Sequence, residues 1–147
     1  MEIEIINEDK KQFIDLLLLA DEQESMIDKY LERGELFVLY DHGLKSICVV
    51  TDESGGTCEL KNIATYEKWQ GMGYASRLIQ YISNYYIMKY TTMIVGTGDV
   101  PSMMQFYGKN GFSLSHRIPN FFVDNYEHLM YENGVQLVDM VYLKKDL

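Results

Sequence analysis

Polar and apolar residues alternate from Glu2 to Ile6, the period-two pattern of a half-buried strand. The period then changes. Phe13, Leu16, Leu17 and Ala20 fall at i, i+3, i+4 and i+7, which predicts a helix over 8–20. A second helix is expected from about 22 to 33, ended by Gly34 as a C-terminal cap. Apolar runs over 36–40, 44–51 and 57–65 read as strands, and the turns at Asp41-His42-Gly43 and 52–56 make them an antiparallel meander. After Gly73 a long helix carries Leu78, Ile79, Ile82, Tyr85 and Tyr86 on one face, and 91–95 follows as a β-rich strand. Strand, helix, strand is a parallel crossover, right-handed by rule. Pro101 suits the first turn of another helix, which carries Met103, Met104, Phe106 and Tyr107 as far as Asn110-Gly111. A short strand over 112–115, an irregular aromatic-rich segment over 116–134 and a last strand over 136–143 complete the chain, with Asn133-Gly134 as a tight turn into that strand. The order β-α-α-β-β-β-α-β-α-β-β describes an α/β fold with a mixed sheet.

Composition narrows the partners. The 147 residues fit one domain, 1–147, with no internal repeat or linker. Twenty-two acidic against 13 basic side chains give a formal charge of −9. That balance argues against nucleic acid, which wants a basic surface. It leaves room for cationic partners, although acidity also serves solubility alone. The first ten residues have no basic region of a secretory signal, and the longest apolar run, Leu16 to Ala20, is far short of the ~20 residues of a spanning helix. Cys48 and Cys58 sit in apolar strands, as small buried hydrophobes of a reduced, cytoplasmic protein. Neither the cysteines nor His42, His116 and His128 have a metal-ligand spacing, so no metal is expected.

The sharpest local feature is Lys68-Trp69-Gln70-Gly71-Met72-Gly73-Tyr74-Ala75, between the third meander strand and the long helix. Glycines there let the backbone turn tightly, and the unpaired N–H groups of a helix start favour an anion. Glycines at a helix start also serve plain turns. A Walker A loop would need GxxxxGK[ST], which is absent. A dinucleotide fingerprint would need a third glycine where Ser76 stands; Gly96-Thr97-Gly98 fails likewise at Pro101. The pattern Q/R-x-x-G-x-G/A is filled by Gln70, Gly73 and Ala75.

On that motif the chain resembles the GCN5-related N-acetyltransferase (GNAT) superfamily. Two further stretches carry the resemblance: 59–65 is similar to the strand leading into the family's acetyl-CoA loop, and 105–112, QFYGKNGF, to its FYxKxGF signature. The resemblance implies the GNAT fold over essentially the whole chain, acetyl-CoA as co-substrate and an amine acceptor. It implies that the backbone of Ile63, Ala64 and Thr65 pairs with the pantetheine arm like an added strand. Gln70, Gly71, Met72, Gly73, Tyr74, Ala75 and Ser76 would then hold the pyrophosphate through backbone N–H groups. Tyr107 matches the family's general acid, which protonates the departing thiolate; its alternative is core packing. Many members carry an Asn several residues before this Tyr, where Val100-Pro101-Ser102 stand, so Ser102 or Asp99 is the substitute for that cofactor contact. Dimers are common in the family, which leaves a homodimer open.

Acetyl transfer also needs a proton acceptor, because a free alkylamine has a pKa of ~10.4. Glu59, a carboxylate in an apolar strand, is the candidate base; the alternatives are an exposed position or a pair with Lys61. In 116–134, Phe121, Phe122, Asp124 and Tyr126 are candidates for binding a cationic acceptor by charge and cation–π contacts, against the alternative that this segment covers a sheet edge. Small amines, polyamines, aminoglycosides, amino acids and protein N-termini or lysines all stay open. The rival functions are a CoA-binding sensor or interaction module without turnover, and a nucleotide-binding protein.

Overall fold

A computed structural model describes residues 1–147. Strands β1 (Glu2–Ile6), β2 (Glu35–Tyr40), β3 (Leu44–Asp52) and β4 (Thr57–Thr65) form an antiparallel series. Helix α3 (Tyr74–Tyr86) crosses to β5 (Thr92–Gly98), which runs parallel to β4. Helix α4 (Pro101–Lys109) leads to β6 (Ser113–Ile118), and the last strand, which follows the hairpin described below, inserts between β5 and β6. The seven-stranded order is therefore β1-β2-β3-β4-β5-last-β6. Alternation along the strands builds two cores. Phe37, Leu39, Cys48, Val50, Cys58 and Leu60 face α3, where Leu78, Ile79, Ile82 and Tyr86 meet them. Leu36, Val38, Ile47, Val49 and Ala64 face the other side, against Leu16, Leu17, Ile27 and Leu31. Both cysteines are buried and free.

The sequence pattern places the buried residues better than the helix ends. The region expected as one helix over 8–20 is a 3-10 turn at Lys10–Phe13 followed by α1 (Ile14–Leu17), and α2 is only Glu24–Ile27. Both helices tighten into three-residue hydrogen-bonded turns after one α-turn, as in Leu19 N–H to Leu16 O and Tyr30 N–H to Ile27 O. Tertiary contacts fix this outcome: the buried Lys10 ammonium reaches across to the carbonyls of Leu31, Glu32 and Gly34. The segment over 116–134 is less irregular than its composition predicts. It holds the end of β6, helix α5 (Phe121–Asn125) and β7 (Met130–Glu132), which pairs with β8 (Val135–Leu137). Asn133 and Gly134, both at positive φ, turn this small hairpin rather than the last strand, β9, which runs later than expected, at Met140–Asp146.

Candidate active site

β4 and β5 pair only from Thr57 to Leu60 and from Thr92 to Val95. Beyond that point β4 is held by β3 alone, while β5 stays with β9 to Gly98. The parting coincides with a bulge: Val49 pairs with Asn62 and Val50 with Leu60, so Lys61 has no partner and the strand bends. Between the diverging strands opens a cleft of about 500 Å³, lined by Leu60–Thr65, Val95–Gly98, the loop before α3, one face of α4, and residues of α5 and the β7–β8 hairpin. Ile63, Ala64 and Thr65 present a free strand edge to it.

At one end lies the glycine loop. Gly71 and Gly73 have φ of 78° and 88°, which an L side chain adopts only with strain, and a Cβ on either would meet open space. The N–H groups from Gly71 to Ser76 have no backbone partner, and no side chain caps α3. A row of donors at a helix start is thus open to an anion. The Gln70 side chain donates to Thr65 O at 3.1 Å and ties the loop to β4. Lys45 and Lys68 flank the Trp69 ring at 4.0 and 5.0 Å. Gly71, Gly73, Tyr74, Ala75 and Ser76 line the cleft with Gln70; the Met72 side chain projects to solvent.

Tyr107 stands on the α4 wall, 3% exposed, edged by Phe106 and Phe112. No protein group hydrogen-bonds its hydroxyl. Burial pushes that hydroxyl above the ordinary tyrosine value and keeps it protonated.

Other expected residues lie elsewhere. Glu59 is buried but does not line the cleft, because alternation turns it to the face opposite Leu60. There it accepts from Tyr142 Oη at 3.0 Å and pairs with Lys61 Nζ at 3.2 Å. Tyr142 reaches it across β5 because Gly96 has no side chain; a Cβ there would lie 3.1 Å from the phenol ring. Glu59 so placed holds Lys61, which does line the cleft. Ser102 accepts from Asn133 Nδ2 at 3.0 Å and Asp99 pairs with Arg117, both outside the lining. Phe122 of α5 and Tyr126, just past its end, line the cleft, whereas Phe121 and the exposed Asp124 of this short helix do not.

A network that the sequence pattern does not flag closes the far end. Asp21, between α1 and α2, accepts from Tyr126 Oη at 2.8 Å and from Tyr30 Oη at 3.1 Å. Asn62 of β4 donates to Tyr30 Oη at 3.0 Å and to Leu17 O at 3.1 Å. Desolvation raises the Asp21 carboxyl above its ordinary range, against the two tyrosine bonds. Asp21 sits in a turn of unremarkable composition and meets Tyr126 across 105 residues, so no local signal marks it.

A mixed sheet splayed at β4 and β5, with a donor-rich loop at the splay, forms an elongated cleft with an anion-binding end, the build of a protein that takes an extended, phosphate-bearing ligand. The chain belongs to the GNAT acetyltransferases: the family described as acetyltransferase (GNAT) domain matches residues 32–114. The uncharacterized N-acetyltransferase YvbK of Bacillus subtilis is 33% identical over 150 residues, covering all of this chain and 97% of that one. A GNAT family acetyltransferase from Elizabethkingia anophelis, solved with acetyl-CoA bound, superposes with a TM-score of 0.93 at 34% identity, over 99% of this chain and 97% of that one. An acetyltransferase of Bacillus subtilis in complex with CoA gives 0.89 at 34% identity, over 99% and 98%. The expected fold class, a mixed α/β GNAT sheet, is the one these neighbours share.

Proposed function

We propose that the protein transfers the acetyl group of acetyl-CoA to a primary amine by direct attack within a ternary complex. The observation that carries this reading is the unbroken row of free N–H groups from Gly71 to Ser76 at the mouth of a cleft that Tyr107 also lines. The loop takes the pyrophosphate, and the open edge of β4 at Ile63–Thr65 takes the pantetheine amides as an added strand. That the two structural neighbours above were solved with acetyl-CoA and with CoA supports the same assignment.

The thioester is already activated, so the main task is placement. The amine nitrogen attacks the carbonyl carbon, the C–S bond breaks, and the thiolate takes its proton from the Tyr107 hydroxyl. The proton released by the amine passes to water, and the Tyr107 phenolate regains one from water to restore the neutral hydroxyl, with Glu59 acting as the positioning residue for Lys61.

The test is release of CoA thiol from acetyl-CoA by the full chain across an amine panel, with mass spectrometry of the products. Acetyl-dependent thiol release and an N-acetylated product are expected. CoA binding with no transfer to any amine would leave a binding module instead. A melting temperature raised by ATP or NAD and not by acetyl-CoA would point to a nucleotide.

A further inference from the structure

The far end of the cleft is built around a carboxylate with no cation. Asp21 lines the cleft and is half-buried, yet no lysine, arginine or histidine pairs with it; its partners are two tyrosine hydroxyls and the Gln23 backbone N–H. A desolvated carboxylate without a counter-charge is costly, and it has a lone pair to spare: four acceptor sites against three bonds. A second observation is independent of it. Asn62 is 3% exposed and lines the same cleft, and its Oδ1 is the buried side-chain polar atom with no hydrogen-bond partner. Its amide nitrogen is committed to Leu17 O and Tyr30 Oη, which fixes the orientation and leaves the carbonyl lacking a donor. The Asp21 carboxylate and the Asn62 amide nitrogen are joined through the single oxygen of Tyr30, so one network holds both side chains at this end of the cleft.

Two unfilled acceptors, one of them charged, call for a donor with several N–H bonds and a positive charge. An alkylammonium offers three. The neighbouring surface suits what would follow such a head group. The rings of Phe122 and Tyr126 stack at 5.7 Å on one wall, apolar enough for methylenes and able to take a cation on a ring face. Glu22 and Glu132 also line the cleft, and Lys61 is already neutralised by Glu59.

We propose that Asp21 and the Asn62 carbonyl anchor a protonated amine of the acceptor, and that the acceptor is an aliphatic diamine or polyamine acetylated at its other nitrogen. The second half follows from charge. An ammonium beside a carboxylate is stabilised in its protonated form, so it has no lone pair with which to attack a thioester. The nitrogen that is acetylated must therefore be a different one, free to lose its proton nearer the thioester. This rests on the acetyltransferase reading above and names its substrate class.

The test compares 1,4-diaminobutane and 1,5-diaminopentane with butylamine and pentylamine in the thiol-release assay, using wild type, Asp21→Asn and Tyr126→Phe. Binding of 1,4-diaminobutane to the dead-end complex with CoA is measured by calorimetry in parallel. Wild type is expected to favour each diamine over its monoamine by tenfold or more in kcat/KM. Asp21→Asn should erase that ratio and the calorimetric signal, while CoA affinity stays within twofold. Tyr126→Phe keeps the charge and should retain most of the preference. Equal use of monoamines and diamines, or a diamine preference that survives Asp21→Asn, would overturn the anchor and leave the acetyltransferase reading intact. Absence of transfer to every amine would overturn both, and CoA binding would then separate a lost turnover from a lost fold.

Discussion

Replacing Gly73 by Ala separates the strain of the loop from its use. Gly73 has φ of 88°, and a Cβ built there meets nothing within 4 Å, so the substitution costs backbone strain without a clash. For an L residue that conformation costs about 1–2 kcal/mol. At about 4 °C per kcal/mol for a chain of this size, the melting temperature should fall by ~4–8 °C. Gly55 provides the control. It has φ of 63° in the turn between β3 and β4, its Cβ space is equally open, and it does not line the cleft. Gly55→Ala should therefore cost similar stability. The two variants part on ligand: Gly73 lines the cleft within the row of free N–H groups, whereas Gly55 lies outside it. Scanning fluorimetry and CoA titration by calorimetry read both quantities. Gly73→Ala is expected to weaken CoA at least tenfold, ~1.4 kcal/mol, and Gly55→Ala not at all. Equal CoA affinity in the two variants would refute the loop as the anion cradle.

Tyr107→Phe should lower kcat by about 100-fold with a far smaller change in CoA affinity, the signature of a lost general acid. Because burial holds the wild-type hydroxyl above its ordinary 10.0, no loss of activity from its ionisation should appear in a pH–rate profile below that value. Glu59→Gln removes the counter-charge of Lys61 and should destabilise by about 1–3 kcal/mol in urea unfolding, while leaving the acidic limb of the pH–rate profile in place; loss of that limb would make Glu59 the base. The Asp21 carboxyl is raised by burial, so its favourable contribution to folding is complete below its ordinary 3.8 and is lost as pH rises through its higher native value. Asp21→Asn should accordingly gain on wild type in thermal stability as pH rises from about 4 to 7, and a gap that stays constant with pH would remove Asp21 from the linkage.

What was legible in the chain is what local patterns encode. The glycine loop, Tyr107 and the strand 57–65 could be read because a helix start, a signature and an alternation each occupy a few adjacent residues. Strand β4 falls at 57–65 as expected. The spacing at 8–20 gave Phe13, Leu16 and Leu17 as buried, while Ala20 of the same face is exposed; the helix lengths did not follow, because contacts of Lys10 and Asn62 with distant backbone carbonyls decide them. The far end of the cleft was half legible. Phe122 and Tyr126 stood out as aromatics, but the carboxylate hydrogen-bonded to Tyr126 is Asp21, which it finds only when the chain is folded. Gly96 and Gly98 looked like part of a failed nucleotide motif; a Cβ on either would strike Met140 or Leu137 at 2.5 Å, so they are small because β8 and β9 pack over β5.

The charge of −9 and an anionic co-substrate are reconciled by where the charges sit. The loop end of the cleft has free N–H groups with Lys45 and Lys68 nearby, and the far end has Asp21 with its neighbour Glu22. The net charge acts at a distance and is screened beyond about 8 Å at physiological ionic strength, whereas backbone donors act at contact and are screened little. The two substrates should then respond oppositely to salt. Raising ionic strength from about 0.05 to 0.5 M relieves the repulsion of acetyl-CoA, so its KM should hold or fall slightly. The same salt weakens the pull on a dicationic acceptor, so the diamine KM should rise several-fold. If both KM values rise in parallel, the anion is held by exposed lysine charge and not by the backbone row from Gly71 to Ser76, and the loop reading fails at its physical root.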